Sequence, residues 1–156
     1  MAGRSASGGH RMSQQVDVVP GRSCDGCTMC CKLLSVAELD KKPGTWCGLC
    51  DAKAGCNAYA QRPTECRDFY CGYLLDPALD ERWKPSHCKL VVTQEEQLGE
   101  TLIHNDPARP DAWRREPFHS QILAWASAAA AEGGKVIVWQ GDAKIAIVPK
   151  KQKKVA

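Results

Sequence analysis

Nine of the ten cysteines in this 156-residue chain lie between Cys24 and Cys71, at spacings suited to bringing thiolates together on metal ions. The first group runs Cys24-Asp25-Gly26-Cys27-Thr28-Met29-Cys30-Cys31, two C-x2-C steps that share a residue, with one more cysteine directly after. Two thiolates separated by two residues can turn back on one ion through a tight loop, and Asp25-Gly26 supplies turn-forming residues. The adjacent Cys30 and Cys31 project in different directions along most backbones, so they suit different metal atoms better than one small ion. That favours a polynuclear or two-site arrangement. Trp46-Cys47-Gly48-Leu49-Cys50 is a second C-x2-C, and Cys56 follows after a loop, Asp51 to Gly55, composed like a chain wrapping round an ion. Cys66 and Cys71 complete the group. Cys88 stands apart beside His87, whose spacing alone among the histidines is suggestive.

Disulfides would require an oxidising compartment, and Met1 to Ser23 holds no apolar run long enough for an export signal. No membrane span is visible, so the expected compartment is the cytoplasm, where a dense thiol cluster holds metal. Ordinary buried thiols do not repeat at C-x2-C spacing. The net charge of +3 is small. Part of it sits in Lys150, Lys151, Lys153 and Lys154, with no aromatic residues interleaved to stack bases, which argues against nucleic acid as a partner.

The elements that must position these thiols read as an α+β chain. Residues 1–20, rich in Gly, Ser, Arg and Gln, form a disordered leader; 21–149 are one domain, with a metal-binding lobe over 21–88 and a ββαββ part over 89–149; 150–156 are a basic tail. Within the lobe, Lys32 to Val36 reads as a short strand and Ala37-Glu38-Leu39 as a helical turn. One main helix is expected across Asn57 to Asp76. Cys66 and Cys71 would stand about 140° apart on an ideal helix, so the helix must end or distort near Tyr70, or the two must serve different atoms. Trp46, Tyr59, Phe69 and Tyr70 read as the small core beneath the metal loops. Beyond the lobe, strands are expected at Cys88 to Thr93 and Glu100 to His104, a helix from about Pro117 to Glu132, and a hairpin turning at Gly141-Asp142. These give a small antiparallel sheet with one packed helix.

The combined pattern resembles a known family. C-x2-C-x2-C-C from Cys24 to Cys31, then Gly55-Cys56-x-x-Tyr59-x-x-Arg62-Pro63-x-x-Cys66-Arg67-x-Phe69-x-Cys71, is similar to the CxxCxxCC cysteine-cluster family, described as a zinc- or iron-chelating domain. The likeness covers roughly Cys24 to Tyr73. It implies a bacterial domain with metal-liganding cysteines at Cys24, Cys27, Cys30, Cys31, Cys47, Cys56, Cys66 and Cys71; Cys50 and Cys88 fall outside that set, and Cys50 is added to the candidate ligands on its own C-x2-C spacing. One branch resembles flagellin lysine N-methylases, but no glycine-rich, acidic-ended motif for S-adenosylmethionine is present, so methyl transfer does not carry over.

Zinc or iron, the latter in an iron-sulfur cluster, both suit four thiolates. The bacterial ferredoxin run C-x2-C-x2-C-x3-C-P is not matched, since Cys31 follows Cys30 at once with no proline after it. The leading expectation is a structural or interaction module with closed thiolate coordination, acting through a protein partner. A redox or metal-handling accessory comes second, and a cluster-dependent enzyme third. Arg62 and Arg67 are expected to donate to sulfurs or loop carbonyls and neutralise thiolate charge rather than to bind substrate.

Overall fold

The computed structural model describes residues 17–23, 27–51, 55–57, 59–61, 63–67 and 69–149, with the side chains of Tyr59, Glu65 and Arg67 left out. Cys24, Arg62, the Arg67 side chain, the leader up to residue 16 and the tail from Lys150 therefore lie outside the described residues.

The chain is α+β. Its larger sheet takes β3 (Leu90–Glu95), β4 (Glu100–Asn105), β5 (Lys135–Gln140) and β6 (Ala143–Ala146) in that order. β3 and β4 form an antiparallel hairpin, as do β5 and β6, but β5 lies parallel to β4. The sheet is thus mixed rather than wholly antiparallel. The chain leaves β4, crosses through helix α5 (Phe118–Ala131) and re-enters alongside in the same direction, which is what a helical crossover does. Gly134 ends this crossover where β3 turns into β4: a Cβ there would collide with the Gly99 carbonyl.

Register places one buried face together. Val92 pairs with Ile103, Ile103 with Val138, and Val138 with Ile145. Leu90, Ile103, Val136 and Val138 are almost fully removed from water, as are Ile122 and Ala126 of α5. Trp83 closes one end, edge-on to Phe118 with centroids 4.9 Å apart and tilted against Trp125 at the same distance. Buried Asn105 holds the following loop: its Nδ2 donates to the Asp106 and Arg109 carbonyls, and its Oδ1 accepts from the Trp113 N–H at 3.2 Å.

The cysteine-rich part is built from short pieces. α1 (Met29–Leu33) buries Met29 and Leu33 in the same core as the sheet. A single helical turn at Ala37–Leu39 follows, then the hairpin of β1 (Cys50–Asp51) and β2 (Gly55–Cys56), then α2 (Thr64–Arg67), α3 (Gly72–Leu75) and α4 (Pro85–Cys88). Of the strand expected at Lys32 to Val36, Lys32 and Leu33 instead end α1, because Leu33 is drawn onto the core one turn after Met29, and Val36 forms an isolated bridge with Lys41. The helix expected across 57–76 is likewise broken. Phe69 and Tyr70 are non-helical and Cys71 is extended at φ −75°, ψ 161°, so the chain restarts at Gly72, whose added Cβ would meet Val92 at 3.2 Å. The break near Tyr70 is one of the two outcomes expected from the angular separation of Cys66 and Cys71.

Further contacts join the lobe to the sheet and the loop after β4. Lys32 pairs with Asp106 at 2.7 Å, with both side chains largely buried. Gly44, at φ +81°, packs so close that a Cβ would sit 3.1 Å from both Gly141 and Pro107. Cys71 and Cys88 lie in one core cluster with Leu90 and Val91. Val18 and Val19, assigned to the leader by composition, are held too: Val18 packs on the core and the Val19 N–H donates to Leu74 O at 2.8 Å. Among the described residues no helix is long and apolar enough to cross a membrane.

Candidate metal centre

Backbone hydrogen bonds draw the separate cysteine segments together. The Cys47 N–H donates to the Cys31 carbonyl at 3.0 Å, tying the second C-x2-C to α1. The Cys50 N–H then turns back to Cys47 O at 3.1 Å, and the Leu49 N–H points at Cys47 Sγ at 3.4 Å. Cys50 faces Cys56 across the β1–β2 hairpin, and the Asn57 N–H donates to Leu49 O at 2.7 Å to close it.

The sulfurs fall into two groups. Cys31 is within electrostatic reach of Cys30 and Cys50, Cys50 of Cys47 and Cys56, and Lys41 of Cys30, Cys31, Cys47 and Cys66. Six of the expected ligands, Cys30, Cys31, Cys47, Cys50, Cys56 and Cys66, thus share one neighbourhood. Cys27 and Cys71 are drawn elsewhere, into electrostatic reach of Cys88. Cys24 is outside the described residues. All described cysteines are free. Among the described residues, as their side chains stand, no group of three or more His, Cys, Asp or Glu is arranged to hold a metal ion.

The two groups differ in character. The Cys31 thiol is pushed far up, first by the neighbouring Cys30 and then by burial, while Cys50 and Lys41 pull it down. Cys50 is raised to about 12, mainly by burial and then by Cys31. Protons and a thiophilic ion compete for such sulfurs, since a metal takes the thiolate and releases the proton. In the second group Cys71 and Cys88 are both buried, and burial pushes Cys88 up to about 12. The Cys88 thiol donates to the Trp83 carbonyl at 3.5 Å and to the Leu90 carbonyl at 3.4 Å, the bonding of a neutral S–H in a core.

Lys41 is the residue that sequence reasoning missed. An isolated bridge between Val36 and Lys41 folds the loop so that the ammonium turns inward, where burial lowers its proton affinity and the surrounding cysteines oppose that. Its Nζ donates to the carbonyls of Lys32 at 3.1 Å, Lys42 at 3.2 Å, and Leu34. The arginines expected in this role lie outside the described side chains. No motif marks Lys41; a lysine next to Lys42 and Pro43 reads as a solvated turn.

Other expected residues sit differently. His87 is exposed, with Nδ1 3.4 Å from the Glu81 carbonyl. Of the aromatic residues expected beneath the metal loops, Phe69 packs on the core, whereas Trp46 and Tyr70 are exposed. Trp46 lies beside Cys47 in a shallow cleft that also takes in Leu39, Lys42 and Leu49, with the Lys32 ammonium 5.5 Å from its ring centre. Comparison of the chain with protein-family models, curated proteins and solved structures gives no match.

Proposed function

We propose that this chain is a metal-binding protein whose thiols take zinc or iron, serving as a structural or interaction module. The observation that supports the reading is that backbone bonds tie the Cys47–Cys50 turn to α1 and pair Cys50 with Cys56, which brings three separate cysteine segments into one neighbourhood. The donor set is all sulfur, which suits a thiophilic ion with a filled shell and no position open to substrate. The pieces that carry it are short turns whose folding an ion would reinforce. The family resemblance, resting on cysteine and arginine spacing, points the same way.

Leu39 and Trp46, both exposed next to Cys47, give this side an apolar surface and support a protein partner. A second reading, metal handling or redox work, is favoured by one observation: six thiols exceed the four that a lone tetrahedral ion takes, and exchange needs a spare ligand. Elemental analysis with acid-labile sulfide on anaerobically purified protein tests both. Bound zinc or iron supports metal binding, and protein with neither overturns it. Transfer of the ion to a competing thiolate peptide would select the second reading.

A further inference from the structure

We infer that Cys50 and Cys56 are a dithiol pair that closes reversibly into a disulfide, with a small-molecule disulfide of the glutathione class as co-reactant. The two residues face each other across the hairpin of β1 and β2, with Asp51 opposite Gly55. Hydrogen bonds fix which kind of facing pair they are. The Asn57 N–H donates to Leu49 O at 2.7 Å, which makes Leu49 and Asn57 a bonded pair, while the Cys50 N–H turns away to Cys47 O at 3.1 Å. Bonded and non-bonded pairs alternate along an antiparallel ladder, so Cys50 and Cys56 are a non-bonded pair, whose Cα atoms lie about 4.5 Å apart with the side chains close on one face. A disulfide spans Cα separations of about 4.4–6.8 Å. Both thiols are free and only half-buried.

The competing partner for Cys50 is Cys47, three residues earlier, but its sulfur is turned onto the Leu49 N–H at 3.4 Å. Cys71 and Cys88 are buried in the core, where a small disulfide has no access. The exchange balances with the one co-reactant. The thiolate of one cysteine attacks a sulfur of the small disulfide and expels a small thiolate; the second cysteine then attacks the protein sulfur of the mixed disulfide and expels the other. Two electrons pass from the cysteine pair to the small disulfide, the two cysteine protons leave on the two small thiols, and the reverse exchange reopens the pair. The bond joins residues that the hairpin already sets opposite, so it forms without moving the strands. This goes beyond metal binding and does not depend on it, although the closed form has two fewer of the six thiols to offer an ion.

The test is disulfide mapping by mass spectrometry on the full wild-type chain, stripped of metal by a chelator, exposed to oxidised glutathione in native buffer, and quenched with acid at early times. Lys53 lies between the two cysteines, so tryptic cleavage there leaves the Cys50 and Cys56 peptides joined through the bond, and fragmentation tells Cys50 from Cys47. The expected first product is lighter by about 2 Da, the two hydrogens given up in exchange, carries the Cys50–Cys56 link, and reopens in reduced glutathione. In concentrated urea that selectivity should be lost, because chain proximity alone favours the shorter Cys47–Cys50 loop. In Cys50→Ser, Cys56 should instead accumulate as its glutathione adduct, with no partner to resolve it. A first bond from Cys50 to Cys47 or to any other cysteine, no internal bond in native buffer, or the same selectivity in urea would overturn the inference. Failure of the metal reading is distinguishable, because it would show in metal content, which this experiment does not read.

Discussion

Replacing Lys32 by Met should loosen the joint between the cysteine-rich part and the sheet. Lys32 follows Cys31 directly on α1, and its Nζ lies 2.7 Å from Asp106 Oδ1, with side-chain exposures of 15% and 7%. At that distance and an effective dielectric of about 20 the attraction is roughly 6 kcal/mol, against a desolvation cost of several kcal/mol per ion. With two ions desolvated, the net worth of the pair is close to zero, while removing Lys32 alone strands a buried carboxylate and costs about 3 kcal/mol. Asp106 keeps one further partner, the Ala108 N–H at 3.0 Å, which Asp106→Asn can retain through its side-chain oxygen. A double-mutant cycle over Lys32→Met and Asp106→Asn, read by urea unfolding, should give a coupling of about 3 kcal/mol. The single Lys32 variant should also separate an early transition of the cysteine-rich part from that of the sheet. Additive single variants and one coincident transition would refute the view that this pair joins the two.

Two further perturbations follow from named residues. Burial of His104 between β3 and β5 holds its imidazole down to about 4, below the ordinary value of about 6.5. The neutral ring is favoured in the fold, so this stabilisation is complete above pH 6.5 and is lost as pH falls from 6.5 towards 4. The stability difference between wild type and His104→Gln should therefore move against the wild type by about 2–3 kcal/mol over that interval; a difference constant with pH would contradict the burial argument. Gly44→Ala should destabilise the chain by about 1–3 kcal/mol in thermal unfolding, since φ is +81° and the new Cβ would press on Gly141 and Pro107 at 3.1 Å. An unchanged melting temperature would mean that the loop does not dock as described.

What the sequence made legible was local. Phe118, Ile122, Trp125 and Ala129 recur at helical spacing ahead of Gly133-Gly134, and α5 runs Phe118–Ala131 as that pattern requires. Gly141-Asp142 between two β-prone runs gave the β5–β6 hairpin. The parallel placing of β5 beside β4 was not legible, because strand periodicity carries no order or direction. α1 was misread as a strand, since Leu33, Leu34 and Val36 form an apolar run too short to separate helix from strand, and its helical state depends on packing against β3. Beyond the sheet, the second C-x2-C lies against α1 through the Cys47 N–H bond to the Cys31 carbonyl. Spacing could not divide Cys27 and Cys71 from Cys30, Cys31 and Cys66, because that division is made by the chain break at Cys71 and by Cys88 from beyond the motif. Lys41 was invisible for the same reason: its bonds to the Lys32 and Leu34 carbonyls exist only once the Val36–Lys41 loop has closed.

The central proposal is that the group of six, and not Cys27, Cys71 and Cys88, holds metal. Its most direct test is the zinc, iron and acid-labile sulfide content of untagged, anaerobically purified protein, measured together for wild type, Cys31→Ser and Cys88→Ser. The account predicts bound zinc or iron in the wild type, a clear loss in Cys31→Ser, and wild-type content in Cys88→Ser. A wild-type chain without metal, or a Cys31→Ser chain with its content undiminished, would contradict it.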